Sequence, residues 1–355
     1  MNAAELWTRL SAGGFLEGAQ PEPEPPGSPW FVRLMLGIAG WIGALFLLGF
    51  VGFALTFIMD DAASAMIAGA ACCAGALALF RCFDGQDFAE QFALALSLAG
   101  QGLLVVGLGQ LFKPDDPALY FAIAAAEATL ALAIANFLHR LLAAGGTAVA
   151  LALAVNQLAL HGLAAPLLCA ALALIWLDPA RWATGGRLWR PIGYGLVLAL
   201  LLVETFRLFG AETLFGRARE TGWMALHGPL VGRGLTGAVL VWAAATLSIR
   251  EGFPPGSRTF LLAVGAAVLV GLLCLLAPGL GSALLILLLG FAAGNRLLMA
   301  FGILGLLGFT AHFYYSLHAT LLAKSGILAV TGLSLLAASL FLRSGAAGLE
   351  EPRHA

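Results

Sequence analysis

Charged side chains are scarce in this chain. Only 10% of its 355 residues are Asp, Glu, Lys or Arg, while 61% are hydrophobic. A soluble domain carries about 25% charged and about 45–50% apolar residues. With so little polar surface to offer water, most of this chain has to face lipid. There is no basic excess either: the net charge is −1 and the Lys and Arg residues stand mostly alone, which points away from a nucleic-acid partner. The 45 glycines fall mainly inside the apolar runs, as expected where helices pack closely in a bilayer.

Chemical motifs are absent as well. The five cysteines (Cys72, Cys73, Cys82, Cys169 and Cys274) form no CxxC pair and no Cys/His ligand spacing, so neither a zinc site nor a disulfide framework is expected. No GxxxxGK[ST], HExxH, GxSxG or paired-carboxylate pattern occurs. The expectation is a protein without cofactor, metal or catalytic constellation. The chain also opens without a signal-peptide pattern. "MNAAELWTRLSAGGFLEG" is a short amphipathic segment, and "AQPEPEPPGSP" is an acidic, proline-rich linker that cannot be helical. Residues 1–29 read as a cytosolic preface to a multi-span domain over 30–345, with 346–355 a short cytosolic tail.

What is present is a series of long apolar runs. Crossing about 30 Å of hydrocarbon takes around 20 residues of helix. Such runs lie at 34–59, 62–80, 91–112, 118–138, 141–160, 163–178, 191–209, 234–249, 259–277, 280–294, 297–315 and 321–342, twelve in all. The pairs 141–160/163–178 and 259–277/280–294 are joined by tight turns at His161-Gly162 and Pro278-Gly279. Each has one short member, so the count is ten to twelve. The fold expectation is an all-α, polytopic transmembrane bundle. Its long loop, "GAETLFGRARETGWMALHGPLVGRG", reads as a short interfacial helix.

Basic residues supply an independent check through the positive-inside rule. With the N-terminus inside, cytosolic segments hold twelve Arg and outer segments six Lys or Arg, four of those six within 207–233. Both termini are therefore expected in the cytosol, and Trp30, Trp176, Trp182 and Trp189 fall near the expected interfaces.

The stretch "LLLGFAAGNRLLMAFGILGLLGFTAHFYYSLHATLLAKSGILAVTGLSLL" carries Asn295-Arg296, Tyr314-Tyr315, Thr320-Leu321-Leu322 and Lys324-Ser325. In these it resembles a bacterial membrane family of unknown function, domain of unknown function 4401. The segment "GQGLLVVGLGQLFKPDDPALYFAIAAAEATLAL" is similar to the related family 2157, with a Gln near the end of one span and an acidic-Pro turn before the next. The resemblance covers most of residues 30–345. It implies no catalytic residues, because the family has no established activity. It does imply a partner: a small membrane-anchored protein bearing a GDYxxLxY motif, encoded beside such members. The setting it implies is the bacterial cytoplasmic membrane.

An ionisable group at bilayer depth costs about 2.5–3.5 kcal/mol and points to function by default. Glu127 lies near the middle of run 118–138 with no local basic partner, and either bonds to another helix or lines a polar pathway. Gln101 and Asn156 are the other candidates for an intramembrane polar site. Like Gln110, Asn136 and Gln157, they can also serve simply as hydrogen-bonding glue. Glu204 and Arg207 are three apart on one helical face and are expected to form a local ion pair. Asn295, Arg296, Tyr314, Tyr315 and Lys324 make a candidate partner or interface site. Arg296 marks the inner end of its run, and the tyrosines and Lys324 mark the outer interface, where anchoring alone would also favour them.

Two functional readings remain open on these residues. The leading one is a non-catalytic membrane scaffold or subunit acting with the small anchored partner. The alternative is a transporter or channel with Glu127 as its midplane carboxylate.

Overall fold

The computed structural model describes residues 3–15, scattered residues between 31 and 49, and residues 61–83, 85–208 and 222–316. The linker, much of the expected span 34–59, residues 209–221, and everything from 317 onward lie outside the described residues. That last stretch holds Lys324, the expected span 321–342 and the tail. Among the described residues the architecture is all α, with no strand.

The helices are α1 (Ala3–Ala12), α2 (Ala62–Cys82), α3 (Asp87–Leu111), α4 (Pro117–Ala133), α5 (Phe137–Gln157), α6 (Ala164–Trp176), α7 (Pro179–Leu208), α8 (Trp223–Arg250), α9 (Arg258–Cys274), α10 (Leu280–Ala292) and α11 (Arg296–Ser316). Six of them (α2, α3, α5, α7, α8 and α11) are long and apolar enough to cross a membrane, and α4, α6, α9 and α10 are shorter apolar helices. The surface is apolar too. Leu272, Leu276, Leu304 and Leu307 are each more than half exposed on α9 and α11 or just beyond, an outer surface suited to lipid rather than water.

Local chemistry sets the helix ends. Asp61 caps α2, its carboxylate accepting from the Ser64 amide at 2.9 Å and from the Ser64 hydroxyl. The hydroxyl first, then the amide, hold the Asp61 carboxyl below its ordinary range. Asp116 caps α4 through the Ala118 amide at 2.8 Å, with Pro117 at the first helical position.

The expected run 118–138 is divided. Asn136 is a strong cap, its side chain accepting from Leu138 and His139 amides at 3.0 and 3.1 Å. It therefore starts α5 at Phe137 and leaves α4 with 17 residues, about 26 Å of rise. Arg140, one of the twelve arginines assigned to cytosolic segments, is buried. Its guanidinium donates to the Ala131 carbonyl at 2.8 Å and the Arg187 carbonyl at 3.1 Å, closing the carbonyl end of α4. The expected interfacial helix is corrected in its described part only, since residues 210–221 of that loop lie outside the described residues. Residues from Trp223 onward are the first turns of the continuous α8.

Packing is close: α2 on α3, α4 on α5, α8 on α9 and α10 on α11 are antiparallel pairs, while α5 and α7 run parallel, with Arg140 beside Arg187 and Gly145 beside Gly195. Glycine permits this. A Cβ at Gly69 on α2 would lie 2.8 Å from the Gly100 carbonyl oxygen on α3. The turn at Gly162 (φ +87°) rests on α8 so tightly that a Cβ at Gly232 would sit 2.0 Å from the Gly162 carbonyl oxygen. The apolar core gathers where α6, α7 and α10 meet, around Leu172, Val197, Leu200, Leu285 and Ile286.

Candidate functional site

Within this apolar bundle α3, α4 and α5 bring four polar side chains together. Ser97 and Gln101 are one turn apart on the same face of α3, and both are buried. Ser97 lies ten residues into its helix, about 15 Å from the start. His139, at the start of α5, is fully buried with Nε2 2.8 Å from Ser97 Oγ and 3.3 Å from the Gln101 amide nitrogen. Gln101 also lies 3.3 Å from Ser97 Oγ. The other end of the Gln101 amide faces Glu127 of α4, 3.2 and 3.3 Å from the two carboxylate oxygens.

The surroundings close this group off. Gly146 of α5 leaves room for the carboxylate: a Cβ there would be 3.2 Å from Glu127 Oε2. Cys73 of α2 sits against it, Sγ 3.8 Å from the Ser97 carbonyl oxygen. Phe80 presents its ring edge-on to His139 at 5.8 Å. Among the described residues no basic side chain forms an ion pair with Glu127; the ion pairs are Arg181–Asp178 and Arg207–Glu204. One turn before His139, Asn136 donates to Glu90 of α3 at 3.2 Å. A buried carboxylate and an imidazole joined through an amide can bond three helices together, and can also bind and release a proton.

The other sequence candidates are placed as follows. Asn156 stands apart from Gln101 and Glu127. It lies seventeen residues after His139 on α5, about 25 Å along the axis, and bonds His161 Nδ1 at 2.8 Å. The expected grouping of all three into one polar site is therefore corrected to a Gln101–Glu127 pair. Glu204 is buried and faces Arg207 at 3.6 Å, but its closer partner is Ser282 of α10, whose hydroxyl donates at 2.7 Å. Asn295 caps α11 through the Leu297 and Leu298 amides, both at 3.1 Å, and its amide nitrogen donates to the Tyr194 hydroxyl at 2.6 Å. Arg296 begins α11, while Tyr314 and Tyr315 meet edge-to-face at 5.6 Å near its other end. Tyr315 is 81% exposed.

Sequence reasoning missed Ser97 and His139. The Ser97–Gln101 spacing of four was the available signal, since it places both on one helical face. His139 carried none, because it sits where an interface residue was expected. Among the described residues no cluster of three or more His, Cys, Asp or Glu could hold a metal.

Six apolar helices of spanning length, a lipid-facing surface of exposed leucines and polar groups turned inward define a polytopic helical membrane protein. The chain belongs to the family Domain of unknown function (DUF4401), whose model matches residues 29–344. No curated protein and no solved structure matches it.

Proposed function

We propose that this protein is a membrane carrier in which Glu127 is the working carboxylate. The observation that supports this is a buried carboxylate faced by the uncharged Gln101 amide of α3, which links it to His139 of α5, and left without an ion-pair partner among the described residues. A carboxylate needed only for packing would be expected to take a basic partner or be replaced by an amide. One that must change its charge during a cycle is better left unpaired. The proposed setting is the bacterial cytoplasmic membrane, with the Arg-rich segments inside. The test is a proteoliposome with a pH-sensitive dye trapped in its lumen. Under an imposed potassium diffusion potential the wild type should collapse a pH gradient faster than protein-free vesicles, and Glu127→Gln should not. Equal rates for wild type and protein-free vesicles would overturn the carrier reading.

A second reading, a subunit that docks a small membrane-anchored partner, is favoured by a separate observation. The Tyr315 ring is largely exposed at the end of α11 beside Tyr314. Aromatic rings are enriched at interfaces, and a tyrosine adds a hydroxyl to a large apolar contact.

A further inference from the structure

Deepening the carrier reading of Glu127, on which it rests, we propose that Glu127 and His139 share one proton and that the Gln101 amide turns over with it. An amide has a donor end and an acceptor end, and the two ends of Gln101 face two groups that can each be protonated or bare. One end lies 3.2 and 3.3 Å from the Glu127 oxygens, the other 3.3 Å from His139 Nε2. With its carbonyl toward Glu127, the contact is a hydrogen bond only when the carboxyl carries a proton and donates it. The amide nitrogen then donates to a bare Nε2. With its nitrogen toward Glu127, the amide donates to an ionised carboxylate, and its carbonyl accepts from a protonated Nε2. For an imidazole that keeps its proton on Nδ1, each orientation is satisfied at both ends by one placement of the shared proton only.

The exchange balances. The O–H bond of Glu127 breaks, an N–H bond forms at His139 Nε2, and the imidazole, already carrying Nδ1–H, becomes imidazolium. The site stays neutral overall, so it crosses no unpaired buried charge. The Ser97 hydroxyl, 2.8 Å from Nε2, serves both states because it can donate to a bare nitrogen or accept from a protonated one.

The second ring nitrogen sets this histidine apart from structural glue. His139 is fully buried, yet Nδ1 finds no hydrogen-bond partner among the described residues. A histidine kept only to join helices is expected to satisfy both nitrogens. The titratable and charged neighbours are few. Cys73 faces the site from α2, and Arg140 follows His139 but spends its guanidinium on the Ala131 and Arg187 carbonyls. Glu90 of α3 is held at Asn136, one turn toward the start of α5.

The experiment reads the two groups separately in the full chain in lipid nanodiscs: the carboxyl stretch of Glu127 by infrared spectroscopy, and the His139 ring by nitrogen-15 NMR. In the wild type, a protonated-carboxyl band and an imidazolium signal should both be present and should trade intensity with temperature. Glu127→Gln should abolish the imidazolium signal, because its counter-charge is gone. His139→Phe should leave only the protonated-carboxyl band. Gln101→Leu keeps both ionisable groups but should end the exchange of intensity between them. The proposal is overturned if either group is indifferent to removal of the other, or if exchange persists without the amide. Coupled signals without proton flux in vesicles would keep the shared proton and discard the carrier; flux with uncoupled signals would do the reverse.

Discussion

The Asn295 amide donates a 2.6 Å hydrogen bond to the hydroxyl of Tyr194, a residue 101 positions earlier in the chain. The same side chain caps α11 with its carbonyl oxygen, so one residue ties α11 to α7 and starts its own helix. Tyr194→Phe should cost about 1 kcal/mol, the net worth of one hydrogen bond. Asn295→Ala should cost about 1 kcal/mol more, because the cap goes too. Equilibrium unfolding of the purified protein in mixed micelles would measure both, and equal effects of the two changes would refute the double role.

The docking of the Gly162 turn on α8 predicts a sharp position dependence for glycine substitution. Gly232→Ala places a methyl 2.0 Å from a carbonyl oxygen, and Gly162→Ala adds a positive φ to a similar collision. Both should lower the folded yield severely, as overpacking against backbone costs more than about 1–3 kcal/mol. Gly102→Ala on α3, with open space around its Cβ position, should be neutral or stabilising by up to about 1 kcal/mol. Size-exclusion profiles of the three variants would separate these outcomes.

Glu204 depends on Ser282 more than on Arg207. The Ser282 hydroxyl donates at 2.7 Å, whereas Arg207 at 3.6 Å is beyond ordinary hydrogen-bond range. Ser282→Ala should destabilise by about 1.5–3 kcal/mol, the range for a hydrogen bond to a charged group. Glu204→Gln should be milder, since an amide oxygen still accepts from Ser282. Thermal stability in detergent orders the two, and a harsher Glu204→Gln would contradict this account.

The docking reading makes its own prediction at the end of α11. Replacing Tyr314 and Tyr315 with Phe and Lys324 with Met keeps the apolar bulk and removes two hydroxyls and a charge. Each lost bond to a partner should weaken binding about tenfold, since about 1.4 kcal/mol is one decade in affinity. The triple variant should insert normally yet fail to co-purify a tagged small partner in mild detergent. Full recovery of that partner would leave interfacial anchoring as the role of these residues.

Hydropathy made the helical bundle legible because lipid imposes one rule on every span, a long stretch free of charge. It misjudged boundaries where a polar side chain has a local task. Asn136 sits in an apolar run, and nothing in that run says that its side chain will cap a new helix and end the old one. Arg140 likewise carries a positive charge that suits an interface, but its carbonyl partners lie 9 and 47 positions away. The polar cluster was half visible for the same reason. Glu127 announces itself by its cost in lipid, whereas Ser97 and His139 gain meaning only through helix pairing, which a single sequence does not encode locally.

Helices α6 and α10 have 13 residues each, about 20 Å of rise, and they pack against one another. The hydrocarbon of a typical bilayer is about 30 Å thick. Both stand in the apolar core, so a shortfall of about 10 Å at the centre of the bundle leaves the turns at Gly162 and Gly279 recessed below the headgroups. The surface of the protein should therefore be dimpled over α6 and α10, letting water and headgroups reach deeper there than over the flank formed by α2 and α3.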